Sequence, residues 1–163
     1  MPESFARKTR PDRPNAAEFD IANRAFFRLY QASNLLHKVG TRAVADYGAT
    51  TQQWAVMGAL ARPFDRTRGM TVKDLIAFLM VSRQNITPLL DRLEERGWIE
   101  RVKDEDDGRS RRVRLTEVGD DVWTRMQIPI GTFYRDALTQ FTLDEQLTLY
   151  KFLDRLKEQM SEM

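Results

Sequence analysis

Apolar side chains recur every three or four positions along most of the chain and every second position in one short region. The series Phe19, Ala22, Phe26, Leu29, Tyr30, Ser33 and Leu36 predicts an amphipathic helix that ends near Gly40. The segment "GATTQQWAVMGALARP" predicts a second helix, with Thr50 or Thr51 as its N-cap and Pro63 as its stop. Residues 63–70 read as a loop. Thr71 then opens "TVKDLIAFLM", where T-x-x-D is a capping box and Val72, Leu75, Ile76 and Leu79 form one face. Only a short turn precedes the next cap, Ser82. Val81 and Ile86 flank that cap at the spacing of a hydrophobic staple, so a helix is expected from Arg83. It buries Ile86, Leu89, Leu90 and Leu93 and stops at Gly97.

The pattern changes after Gly97. "WIERVKD" and "SRRVRLT", separated by "EDDGR", partly alternate apolar and charged residues and predict a hairpin. Thr116 caps a further helix from Glu117, with an interruption expected near "IPIG" because Pro129 lacks an N–H donor. The last helix carries a Thr142/Glu145 capping box and a stripe of Leu143, Leu147, Tyr150, Leu153, Leu156 and Met160. The expected fold is mainly α with a small β-hairpin wing, a winged helix-turn-helix with a helical dimerisation region from both termini. The expected segments are a flexible arm at 1–17, an N-terminal dimerisation helix region at 18–48, a DNA-binding region at 49–116 and C-terminal dimerisation helices at 117–163.

Two helices joined by a capped turn, with long hydrogen-bonding side chains opening the second, suit a reader of the DNA major groove. Ser82, Arg83, Gln84, Asn85 and Thr87 are the candidate contacts, because Arg, Gln and Asn can pair bidentately with purine edges. Arg92 suits a phosphate or an intramolecular acid. In "DEDDGRSRRVRLT", a fixed cation at the hairpin tip would match the negative potential of a minor groove. Asp107 is placed to hold Arg109 extended, while Arg111, Arg112 and Arg114 are expected nearer the phosphates. Asp104 to Asp106 have no expected role beyond solvating a turn.

Composition narrows the classes. Lys and Arg number 26 against 24 Asp and Glu, so a nucleic-acid footprint depends on where charges sit rather than on their sum. With no cysteine and a single histidine, His37, the chain excludes disulfides, thiol redox chemistry and nearly every Cys/His zinc site. No catalytic residue, metal ligand or cofactor is assigned, since phosphate loops and nucleophile motifs are absent. The longest apolar run, "LIAFLMV", is too short to span a bilayer, and a cytoplasmic protein without a membrane partner is expected. Arg7, Lys8, Arg10 and Arg13 make the N-terminal arm basic.

The run "VSRQNITPLLDRLEERGWIERVKDEDDGRSRRVRLTEVG" resembles the MarR family of winged helix-turn-helix regulators, and the likeness extends over roughly residues 19–160. It contains a recognition helix, an L-x-x-x-G-x-I/V-x-R passage into the wing, and a D-x-R tip followed by L-T. The resemblance implies a two-fold dimer, with Arg109 as the minor-groove arginine and Asp107 as its partner. Pro88 departs from the pattern by lying inside the recognition helix, where it removes a hydrogen bond to the Gln84 carbonyl.

The first and last helices expose more apolar surface than one small domain needs, which also points to a homodimer. Two recognition helices about one DNA turn apart, on the order of 34 Å, would then read a palindrome on double-stranded DNA. Tyr30, Asn34, His37, Trp54, Met57 and Trp123 are the candidate ligand contacts, although aromatics at helical spacing also serve as core. From the family, the expected effector is a small aromatic acid or an aromatic CoA thioester, and the expected action is repression released by that effector. The alternatives are a winged-helix protein–protein adaptor without DNA binding and, from a different class, an enzyme.

Overall fold

The computed structural model describes residues 15–104 and 111–163. The chain divides into two compact units, Met1–Leu35 and Leu36–Met163. Helix α1, Ala16–Ala43, crosses that boundary. In the first unit, the helix presents Phe19, Ile21, Phe26, Phe27 and Tyr30 as exposed apolar residues.

The second unit continues with a short 3-10 turn at Ala45–Tyr47 and α2, Thr51–Leu60. Thr50 is the N-cap of α2, and Gln53 completes a capping box. The loop expected at 63–70 instead contains a one-turn helix, α3 (Asp65–Arg68), and the first residue of a two-residue strand, β1 (Met70–Thr71). Helix α4, Val72–Leu79, starts from the Thr71/Asp74 capping box, and α5, Arg83–Glu95, starts from Ser82. Helix α5 gives way to Gly97, whose φ of 68° is the left-handed conformation that favours glycine. Strands β2 (Ile99–Lys103) and β3 (Arg111–Leu115) follow, then α6 (Glu117–Ala137) and α7 (Leu143–Ser161). The sheet has the order β1-β3-β2 with antiparallel pairs, so the predicted hairpin gains a third strand.

The core gathers Val56, Met57 and Leu60 of α2, Leu75 of α4, and Ile86, Leu90 and Leu93 of α5. One face of the sheet adds Met70, Ile99, Val113 and Leu115, and α6 adds Val122, Met126 and Ile130. The interruption expected at Pro129 is absent, because α6 runs unbroken through it. A mid-helix proline costs about 3 kcal/mol. Burying Val122, Met126 and Ile130 on one face of the same helix offsets it, at about 1.5–3 kcal/mol for each apolar side chain. Helix α5 likewise continues through Pro88. Among the described residues no helix is long and apolar enough to cross a membrane.

One backbone position is strained. Met80 closes α4 at φ 53°, ψ 41°, and its N–H donates to the Ile76 carbonyl. Among the described residues it is the one non-glycine with positive φ. Its side chain is 62% exposed, so little packing compensates. Met80→Gly should therefore raise stability by about 1 kcal/mol, the left-handed penalty of a side chain less the entropy of glycine. For a chain of this size the melting temperature should rise by about 2–4 °C. A fall in a thermal melt would show that the Met80 side chain stabilises the turn.

Candidate nucleic-acid interface and ligand cavity

Helix α5 has two opposed faces. Ile86, Leu90 and Leu93 are buried. By helical spacing, Gln84, Pro88 and Asp91 point away from them, with Arg83 and Thr87 on one flank and Asn85 and Arg92 on the other. The Ser82 hydroxyl accepts from the Asn85 N–H at 3.2 Å, so it acts as the cap of this helix. Thr87 turns its hydroxyl back to the Arg83 carbonyl at 2.9 Å. Arg83, Gln84, Thr87 and Arg92 are exposed, and among the described residues neither arginine has an acidic partner. The carbonyl that Pro88 leaves without its helical donor belongs to Gln84, on the same outward face.

The wing strands add charge in alternation. Arg101, Lys103, Arg111 and Val113 share one face, because Arg101 pairs with Val113 and Lys103 with Arg111. Arg101 binds Asp91 of α5 at 2.6 Å and also Glu94, tying the strand to that helix. Beyond it, Lys103 and Arg111 are exposed and directly opposite one another. Like charges so placed repel across a sheet, and an anion between them removes that cost. At the other end of α5, the Arg96 guanidinium donates to the Gly48 carbonyl at 2.9 Å and stacks 3.5 Å over Trp98.

The grouping of Arg111, Arg112 and Arg114 as three phosphate-facing cations does not fit this alternation. Arg112 and Arg114 point to the opposite face from Arg111, and both are engaged within the chain. Arg114 pairs with Glu100 at 2.7 Å. Arg112 pairs with Asp104, which is buried rather than solvating a turn. Val113 and Leu115 are buried, and period-two alternation from them separates Arg111 from its neighbours. Asp107 and Arg109 lie outside the described residues.

A cavity of about 450 Å³ abuts the inner side of α5. Its apolar walls are Leu36, Trp54, Val56, Leu79, Val81, Ile86 and Leu89, and its polar groups include His37, Thr51, Asn85 and Tyr134. His37 Nδ1 lies 2.9 Å from the Thr51 hydroxyl, which fixes the imidazole against the start of α2. Burial pushes the Tyr134 hydroxyl above its ordinary pKa, with a contact from the Trp54 side chain partly offsetting that shift. It is therefore a protonated donor at neutral pH. Among the described residues no lysine or arginine lines the cavity.

Of the six candidate ligand contacts, His37 and Trp54 line this cavity. Met57 is fully buried in the core, and Trp123 is half-buried against the position of Gly58. Tyr30 and Asn34 are exposed in the first unit. Tyr134 was not among the candidates, since an interrupted α6 gave no phase for residues beyond Pro129. Among the described residues no cluster of His, Asp and Glu could hold a metal ion.

The MarR family model matches residues 47–110, which take in α2, α4, α5 and β2. Transcriptional activatory protein BadR of Rhodopseudomonas palustris is 46% identical over 156 residues, spanning 93% of this chain and 89% of BadR. The homoprotocatechuate degradative operon repressor of Escherichia coli is 30% identical over 111 residues, 68% of this chain and 72% of the repressor. The PcaV transcriptional regulator of Streptomyces coelicolor, solved in complex with its natural ligand, aligns with a TM-score of 0.64 at 25% identity, covering 78% of this chain and 89% of PcaV.

The opposed Lys103 and Arg111 make a trade-off measurable. Lys103→Glu should stabilise the fold by about 0.2–1 kcal/mol, because a cross-strand ion pair replaces a repulsion. The same change should weaken DNA binding and lower its salt dependence. Titrations and melts that move in the same direction would contradict an anion-facing role for this pair.

Proposed function

The chain belongs to the MarR family of transcriptional regulators, and from that premise we propose that it reads a palindromic DNA site as a homodimer under control of a small aromatic effector. One observation carries the reading: α5 offers Arg83, Gln84 and Arg92 outward, without an acidic partner for either arginine among the described residues, while its Asn85, Ile86 and Leu89 line the cavity. A ligand there touches the element that would contact DNA. Effector binding would favour the arrangement of α5 that best accommodates it, and DNA affinity would change by the ligand's preference between arrangements.

Three features support the finer points. Exposed Phe19, Phe26, Phe27 and Tyr30 of α1, and Leu143, Leu147, Tyr150, Phe152 and Leu153 of α7, amount to more apolar surface than a monomer ordinarily leaves in water. A second copy of the chain is the partner proposed for it. The cavity's aromatic and aliphatic walls, with few polar groups, suit a planar aromatic ligand. A free aromatic acid would find His37 and the Tyr134 hydroxyl as its donors, whereas an aromatic CoA thioester would place an uncharged acyl group there. The name of the Escherichia coli relative refers to degradation of an aromatic acid, which supports the same class.

Repression released by the effector is the first reading of the sign. Activation is the second, favoured by the name of the 46% identical relative. Selection of genomic fragments by the purified chain, repeated with aromatic acids and their CoA thioesters, tests the whole reading. The expected result is a palindrome whose recovery changes with one of those compounds, and a reporter fused to that site gives the sign. Failure to retain any fragment would favour an adaptor. Arg109→Ala should abolish selective binding while sedimentation still shows a dimer; unchanged selectivity would remove the wing tip from the reading.

A further inference from the structure

Arg112 stands at the centre of the small sheet, on β3, and is bound on both sides. Its Nε lies 2.8 Å from Asp104 Oδ2 without the alignment of a hydrogen bond, so charge holds that contact. Its Nη1 donates to the Gly69 carbonyl at 3.1 Å. The side chains are 15% and 6% exposed for Arg112 and Asp104, so both charges are largely withdrawn from water. A charge withdrawn from water persists when it has a partner.

The positions of the three residues give the contact its meaning. Asp104 follows β2 directly, and Arg112 pairs with Val102 across the hairpin, so the ion pair fastens the two arms of the wing. Gly69 immediately precedes β1, and Thr71, the N-cap of α4, pairs with Arg112 in the sheet. Gly69 has φ 74°, and a Cβ there would meet the Val113 carbonyl oxygen at 2.6 Å. Only glycine brings this carbonyl so close to β3. The forked guanidinium thus joins β2, β3 and the segment that launches the first helix of the helix-turn-helix.

We propose that Arg112 and Asp104 form a positioning joint, which sets the wing relative to the helix-turn-helix, and that Arg112 does not contact DNA. The proposal rests on the DNA-binding reading. It assigns the first acid of the "DEDD" run a structural partner and removes Arg112 from the phosphate contacts. The joint needs a planar cation that meets Asp104 at one nitrogen while another donates to the Gly69 carbonyl, a span that the single ammonium of lysine lacks.

The test compares Arg112→Lys, Asp104→Asn and Arg111→Ala for DNA affinity over a series of salt concentrations, with amide exchange followed in β1 and β3. Arg112→Lys keeps the charge but should weaken binding about tenfold, the scale of one lost arginine contact. The slope of log affinity against log salt should stay unchanged. Asp104→Asn removes an acid from a DNA-facing lobe and yet should also weaken binding. Arg111→Ala should lower the salt slope by about 0.9, as expected for a lost phosphate contact. Both joint variants should speed exchange at Met70 and Val113, a readout that does not need DNA.

Wild-type binding by Arg112→Lys, or tighter binding by Asp104→Asn, would overturn the joint. So would unchanged exchange in both variants. If the unaltered chain binds no DNA, the regulatory reading fails, and exchange alone decides the joint. If Asp104→Asn does not fold, Arg112→Lys decides it.

Discussion

The constraint on which the rest depends is that one thirteen-residue helix, α5, serves two surfaces. Ile86, Leu90 and Leu93 anchor it in the core, which fixes its rotation and leaves its first turns facing outward. Leu89 and Asn85 sit at the margin of that anchor and line the cavity. A shift large enough to admit a ligand acts on the same rigid element that presents Arg83 and Gln84. Coupling then needs no relay through distant residues, since cavity wall and outward face belong to one helix.

Charged side chains frame this helix more than they stabilise it. Arg101 joins its outward acid Asp91 and its neighbour Glu94 to β2, and Arg96 fastens its far end to the carbonyl of Gly48. Exposed pairs of this kind contribute at most about 1 kcal/mol each. Their use here is directional. Arg101 also offsets one of the two negative charges on Asp91 and Glu94. Lys103 and Arg111 then continue the positive ledge on the same side of the sheet.

What was legible in the sequence was local. Thr71, Ser82, Thr116 and Thr142 cap helices through bonds that span three residues, and all four were readable from spacing. Gly97 likewise marks its own turn. What was hidden was non-local. Pro129 predicts a break by a local rule, but burial of Val122, Met126 and Ile130 overrides it, and the continuous helix carries Tyr134 to the cavity. Strand β1 has two residues, too few for any periodicity, and exists because β3 offers it an edge. Asp104 and Arg112 look like members of a solvated charge run until the hairpin brings them together. MarR membership was legible because its motif is continuous, whereas cavity residues come from five separate helices.

In the proposed regulation two copies of α5 are held at a separation suited to DNA, and a cavity ligand changes it. The chain has no cysteine, so a single Glu95→Cys substitution on the outward side of α5 gives one spin-label site per protomer. Pulsed dipolar spectroscopy then measures the distance between the two helices in the dimer. A narrow distribution on the order of 34 Å is expected with the selected palindrome bound. Addition of the compound that changes DNA occupancy should move that distribution. An absence of dipolar coupling, or the same distribution with and without that compound, would contradict it.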